Sequence, residues 1–180
     1  MPKKIVITGG PGSGKTTLIN YLKEQGFQCQ PEISRDITIE AQNNGIEQFF
    51  MENPLLFSEK LLEGRLKQFI ESEKFEKTYI FFDRGLPDVT AYLDYINSQY
   101  PDHFLETCNS YRYDTVFLLP PWKDIYKQDN ERYESFSEAV IIYNYLLKGY
   151  QNYGYGVIKI PLDSIENRSK FILKKLTSLH

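Results

Sequence analysis

The sequence is poor in the residues that build metal centres and disulfide frameworks. Its 180 residues include two cysteines, Cys29 and Cys108, far apart in the chain, and two histidines, His103 and His180. No Cys/His metal cluster and no disulfide framework can be drawn from that stock, and a reducing cytoplasm is the compartment that suits it. Long apolar runs are missing as well. No stretch approaches the roughly 18 residues of a membrane span, and the mean hydropathy is -0.45. After Met1-Pro2-Lys3-Lys4 only Ile5 to Ile7 precede Thr8 and the glycines, too little for the apolar centre of a secretory signal. Excess positive charge is lacking too: 21 Lys and Arg face 24 Asp and Glu, a net charge of -3. That balance excludes a broad nucleic-acid footprint. With 41% hydrophobic residues and no repeat, low-complexity tract or linker, the chain reads as one domain over 1–180 with a full core. Aromatics are the one surplus, with 14 Tyr and 12 Phe beside a single Trp.

The hydrophobic pattern alternates between short continuous runs and helical stripes. Lys3 to Thr8, Phe27 to Gln30, Thr78 to Phe82, Asp114 to Leu119 and Gly156 to Ile160 read as five strands. Between and after them, helices are predicted over Gly14–Gln25, Glu32–Gln42, Pro54–Lys77, Val89–Asn97, Pro101–Asn109, Phe136–Tyr153 and Ser164–Leu179. Trp122 to Ser135 is polar and lacks clear periodicity. Unbroken apolar strands that alternate with helices indicate a parallel sheet covered on both faces.

Gly9-Gly10-Pro11-Gly12-Ser13-Gly14-Lys15-Thr16 fits the pattern G-x-x-x-x-G-K-S/T in full, between a buried strand and a helix start. Glycines there let the backbone wrap closely and turn its N–H groups onto phosphate oxygens, and the helix start adds its dipole. Lys15 is placed to reach the β- and γ-phosphates, the Thr16 hydroxyl to ligate Mg²⁺, and Thr17 to adjoin the same site. The expected ligand is a nucleoside triphosphate, ATP, with Mg²⁺.

A second acidic centre follows at Asp83, at the carboxyl end of the strand Tyr79-Ile80-Phe81-Phe82. A carboxylate there lies beside the phosphate loop, where it can hold Mg²⁺ or take a proton from an acceptor hydroxyl. Asp83 is followed by Arg84, not by the glutamate that many dedicated ATPases use to activate water, and the Asn-Lys-x-Asp of guanine readers is absent. An arginine there can grip an acceptor or a phosphate bidentately. Pro31-Glu32-Ile33-Ser34-Arg35 places Glu32 at a helix start with Arg35 one turn on along the same face. Glu32 could then bind or deprotonate a hydroxyl and Arg35 fix a charged group of the substrate; an acidic first helical turn with a surface ion pair is the plainer reading. Residues 121–135 form a candidate lid in which Arg132 is the one arginine, set among Asp124, Asp129, Glu131 and Glu134. A solvated polar connection is the alternative for that segment.

Asp83-Arg84-Gly85 resembles the Asp-Arg pairs of nucleoside and nucleotide kinases. The order of phosphate loop, Pro-Glu segment, apolar strand with Asp-Arg-Gly, Leu-Pro-Pro-Trp and Asp-x-x-Arg resembles the AAA-labelled ATPase/kinase-like domains related to the ribosylnicotinamide kinase domain of NadR. The resemblance implies a three-layer P-loop NTPase fold of kinase type, α/β, with a five-stranded parallel sheet. It also implies ATP and Mg²⁺ binding at Gly9 to Thr16, an acidic role at Asp83 and a lid arginine at Arg132.

The expected function is transfer of the ATP γ-phosphoryl group to a nucleoside-like small molecule, with no nucleic acid and no membrane involved. Lys15, Asp83, Glu32 and Arg132 are the candidate catalytic residues, Glu32, Arg35 and Arg84 the candidate acceptor-binding residues, and Thr16 and Asp83 the candidate metal ligands. Two rival readings are a slow, nucleotide-binding regulatory module with a protein partner and a dedicated ATPase acting on a macromolecule. Among the tyrosines, Tyr143, Tyr150 and Tyr153 fall at helical spacing and read as amphipathic core.

Overall fold

The computed structural model describes residues 1–126 and 135–179. Five strands, β1 (Lys3–Gly9), β2 (Gln28–Gln30), β3 (Tyr79–Asp83), β4 (Thr115–Leu119) and β5 (Val157–Lys159), form one sheet in the order β2-β3-β1-β4-β5. Every neighbouring pair is parallel. The helices are α1 (Lys15–Glu24), α2 (Ser34–Asn43), α3 (Phe49–Glu52), α4 (Pro54–Glu71), α5 (Pro87–Tyr95), α6 (His103–Ser110), α7 (Phe136–Asn152) and α8 (Ile165–Leu179).

Alternation along the strands divides the core into two layers. Ile5, Ile7, Phe81 and Phe117 face α1 and α8, meeting Leu18, Ile19, Leu22, Ile172 and Leu176. Val6, Ile80, Phe82 and Val116 face the other way, against Leu61 and Phe69 of α4, Val89 and Leu93 of α5, and Tyr150 of α7. The sheet is therefore the middle of three layers, the P-loop NTPase architecture. Among the described residues no helix is long and apolar enough to cross a membrane.

Several helix ends differ from expectation for local reasons. α4 starts at Pro54 behind Asn53, whose side chain accepts from Leu56 N, but stops at Glu71. A 3-10 turn, Ser72–Lys74, replaces its predicted last turn, with the Ser72 hydroxyl folded back onto Phe69 O at 2.6 Å. The short helix α3 lies in a stretch with no predicted element, and a 3-10 turn, Lys123–Ile125, lies in the stretch read as aperiodic. α2 begins at Ser34 and leaves Glu32 outside the helix. The Glu32 carboxylate instead accepts from the N–H groups of Ile33 and Ser34, at 3.0 and 3.2 Å. Glu32 and Arg35 thus do not share a helix face as the sequence reading had them: Glu32 turns inward and Arg35 is exposed.

Register places the site. Ile7 pairs with Asp83 across β1 and β3, and Gly9 pairs with Leu119 across β1 and β4. The phosphate loop consequently leaves the central strand next to Asp83, in the crevice beyond the carboxyl ends of the sheet.

Candidate active site

The loop from Gly9 to Thr16 joins β1 to α1, with Gly12 and Gly14 in the left-handed region at φ 69 and 79. Space around both is tight as well. A Cβ at Gly12 would stand 2.3 Å from the ring of Tyr126, and one at Gly14 would stand 2.9 Å from Arg168 Nη1. Inside the loop the Ser13 hydroxyl is buried without a partner. Lys15 is buried and ion-paired with Asp83. Burial and then the Arg84 charge lower the Lys15 pKa, with Asp83 and Glu32 pulling against them.

After Asp83 the chain turns sharply. Arg84 has φ 73, unusual for a residue with a side chain, and donates its N–H to Ile7 O at 3.1 Å. Asp88, near the start of α5, holds this turn together. Its carboxylate accepts from Gly85 N at 2.9 Å, from Arg84 Nη1 at 3.3 Å and from the hydroxyls of Thr8 and Tyr150. It thereby ties β1, the Asp-Arg-Gly turn, α5 and α7 into one buried polar knot. A side chain at Gly85 would crowd the knot, since a Cβ would meet Tyr150 Oη at 2.7 Å.

Turned to this position by φ 73, Arg84 reaches Glu32, with Nε 2.6 Å from Oε2. Arg65, buried on α4, donates from Nη2 to Glu32 Oε1 and from Nη1 to Gly85 O, both at 3.1 Å. Burial by itself would raise the Glu32 carboxyl, but Arg65, then Arg84 and Lys15, outweigh it and hold the pKa at about 2. For Arg84 burial works against the charge, and Glu32, Asp88 and Asp83 overcome it and raise the pKa. Glu32 Oε2 is thereby buried against the Arg84 guanidinium.

Three adjoining spaces open here. The phosphate loop, with Glu32, Ser34 and Arg84, lines the middle one. On one side lies a cavity of about 200 Å³ whose polar wall is Glu32, Arg65, Arg84 and Asp88. Phe57, Leu61, Tyr92, Tyr95, Tyr145 and Leu146 are prominent on its apolar side. On the other side of the loop, Trp122, Ile125, Asp163, Ser164, Ile165 and Arg168 enclose a second cavity with Gly12, Gly14 and Thr17. Of the tyrosines read as core, Tyr150 is buried with its hydroxyl on Asp88, Tyr153 bonds Thr90 at 3.1 Å, and Tyr143 lies under Lys159. The cavity takes its rings from Tyr92, Tyr95 and Tyr145 instead.

Gly10 to Thr17, Glu32, Arg84 and Asp83 therefore converge, as their types suggested. Arg35 lies outside the walls of these cavities, and Arg132 lies outside the described residues. Sequence reasoning missed Arg65, Asp88 and Arg168. A faint signal existed for two of them. Arg65 sits at helical spacing between Leu61 and Phe69, and Arg168 between Ile165 and Ile172, so each is a charge inside an apolar stripe. Asp88 followed Pro87 like an ordinary acidic residue of a first helical turn, and nothing local marked it out.

The donor set fits Mg²⁺. Among the described residues no group of three or more His, Cys, Asp or Glu could hold a metal by itself. A single carboxylate, Asp83, and the Thr16 hydroxyl suit a cation that takes its other ligands from phosphates and water.

The family described as AAA domain matches residues 4–168. No curated protein matches the chain. Solved structures with the same fold include deoxyadenosine kinase from M. mycoides with the products dCMP and a flexible dCDP bound. It is 18% identical with a TM-score of 0.70, over 97% of this chain and 99% of that one. The same kinase with bound dATP gives 18% identity and a TM-score of 0.66 over the same shares of both chains. NadR in complex with NR is 17% identical with a TM-score of 0.75, over 99% of this chain and 50% of NadR, so the chain spans about half of that protein. Matched by the family model over nearly its whole length, the chain belongs to the AAA domain family and shares the P-loop fold of those solved structures.

Proposed function

We propose that the protein is a P-loop kinase that transfers the γ-phosphoryl group of ATP to a hydroxyl of a nucleoside-like small molecule. The observation that carries this reading is the Glu32 carboxylate, held by Arg65 and Arg84 on the wall shared by the phosphate loop and the aromatic cavity. An ionised carboxylate there can accept from an acceptor hydroxyl and orient it. A water-activating ATPase has no need of a cavity lined by Tyr92, Tyr95, Tyr145 and Phe57, whereas a planar acceptor ring packs there well.

In this reading the triphosphate lies along Gly9 to Thr17, its base in the cavity beside Trp122. Lys15 exchanges Asp83 for the β- and γ-phosphates, which frees the Asp83 carboxylate to hold Mg²⁺ together with Thr16. When bound, Mg²⁺ neutralises charge on the phosphate oxygens. Glu32 orients the acceptor hydroxyl and receives its proton, and Arg84 faces the transferring group from the other side of Glu32. A carboxylate held at about pKa 2 is a weak base, but in a loose phosphoryl-transfer transition state the hydroxyl proton departs late, so positioning matters more than basicity. Arg65, fixed to Glu32 and Gly85, holds that carboxylate in place. Arg132 is the proposed lid arginine.

ATP consumption measured across nucleosides, ribosylnicotinamide and small alcohols, with Lys15→Ala as the blank, tests the reading. Acceptor-stimulated turnover is expected. Tight nucleotide binding with no stimulating acceptor would overturn the kinase assignment in favour of a regulatory nucleotide-binding module.

A further inference from the structure

The inner site is balanced in charge. Lys15 faces Asp83, Arg65 faces Glu32, and Arg84 faces both Glu32 and Asp88, so three cations meet three carboxylates. Such a cluster presents no surplus charge to a triphosphate. Arg168 is different. It projects from α8 and is 1% exposed, yet no carboxylate pairs with it among the described residues. Its Nη2 donates to Ser13 O at 2.9 Å, its Nε is buried without a partner, and its Nη1 lies against Gly14. The Trp122 ring covers the guanidinium at 5.7 Å from its centroid. A buried cation with one hydrogen bond and no counter-charge is unfavourable by itself and becomes favourable when an anion comes near.

Building on the nucleotide-binding reading above, we infer that Arg168 is a positioning residue for the donor nucleotide. It fixes the phosphate loop through the Ser13 carbonyl and supplies the positive charge that the balanced inner cluster does not. The side chain holds the loop backbone and lines the cavity beside it, so it stabilises bound nucleotide in ground and transition states alike. Uniform binding of that kind appears in KM and not in kcat. Lysine in its place keeps the charge and one donor. Methionine keeps much of the volume and removes both.

The test compares the full-length wild-type chain with Arg168→Met and Arg168→Lys. Affinities for Mg·ATP and for inorganic tripolyphosphate are titrated over a range of salt, beside the thermal midpoint of each protein. The methionine variant is expected to bind both probes about tenfold more weakly, with a shallower dependence on salt. Its melting point should change little, because removal of an uncompensated buried charge offsets the orphaned Ser13 carbonyl. The lysine variant is expected to recover most of the affinity, and where turnover is measurable the KM for ATP rises with kcat little changed. Unaltered affinity in the methionine variant overturns the inference. So does a loss that tracks a lower melting point and is not recovered by lysine, since that marks a purely structural arginine. If the wild type binds neither probe, this inference and the kinase reading fall together. Intact binding with no stimulating acceptor removes only the kinase reading.

Discussion

Arg65→Met tests whether the carboxylate at the proposed acceptor site is held by charge from α4. Arg65 donates to Glu32 Oε1 and Gly85 O from a buried position, and its charge is the largest of the influences that lower the Glu32 carboxyl. The fall from 4.5 to about 2 amounts to about 3 kcal/mol in favour of the ionised group. Arg84 and Lys15 remain in the variant, so about half of that should be lost, to which the orphaned Gly85 carbonyl adds about 1 kcal/mol. The expected destabilisation is about 2–3 kcal/mol, read as a lower urea midpoint with an unchanged slope. The sign with pH follows from the same residue. A folded-state pKa below the unfolded one contributes stability that is present above pH 4.5 and is lost as pH falls towards 2. In the variant that acid-dependent loss shrinks and shifts upward, and the acid limb of kcat/KM moves up with it. Arg65→Lys should recover part of the stability through its charge but not the two-pronged contact. A urea midpoint within about 0.5 kcal/mol of wild type, together with an unmoved acid limb, would refute the argument that Arg65 holds Glu32.

Three further outcomes are expected. Gly12→Ala combines a left-handed φ of 69 with a Cβ 2.3 Å from the Tyr126 ring, so nucleotide binding should weaken by more than about tenfold in a fluorescence titration while the circular dichroism spectrum is retained. Tyr150→Phe removes a buried donor to Asp88 and should lower stability by about 1–3 kcal/mol in urea denaturation; no measurable loss would show that the Asp88 knot contributes little. Burial pushes the Cys29 and Cys108 thiols up to about 11, so both should react slowly with a disulfide reagent at pH 8 until the protein is unfolded. Because these folded-state values lie above the ordinary 9, their contribution is full below pH 9 and is lost as pH rises towards 11.

The elements that the sequence made legible are those whose signals are contiguous. Lys3 to Thr8 followed by the glycine loop and Lys15-Thr16 is a local pattern, and it folds as read because strand, turn and helix start are each dictated by neighbouring residues. Asp83 was legible for the same reason, as the polar end of an apolar strand. Glu32 was recognised by type but misplaced. A local rule put it in the first turn of α2, whereas two arginines from α4 and the Asp-Arg-Gly turn draw the carboxylate inward. The short α3 and the early end of α4 escaped because packing and a single serine decide them.

Arg65 and Arg168 were the harder cases. In sequence each is one charged residue within an amphipathic helix, and exposure is the ordinary fate of such a residue. Arg168 meets Ser13 from 155 positions away, a pairing no window of sequence contains.

By itself the sequence determined a three-layer parallel α/β fold and a glycine-rich P-loop beside an acidic strand end, because short-range sterics and hydrophobic period settle those features. Tertiary structure alone decided the charge balance of the site. Coulombic energy depends on distances between groups from separate elements. Only folding brought three carboxylates against three cations and left Arg168 without a carboxylate among the described residues. It also decided which tyrosines line the aromatic cavity beside the phosphate loop, since Tyr92, Tyr95 and Tyr145 meet there only through the packing of α5 on α7.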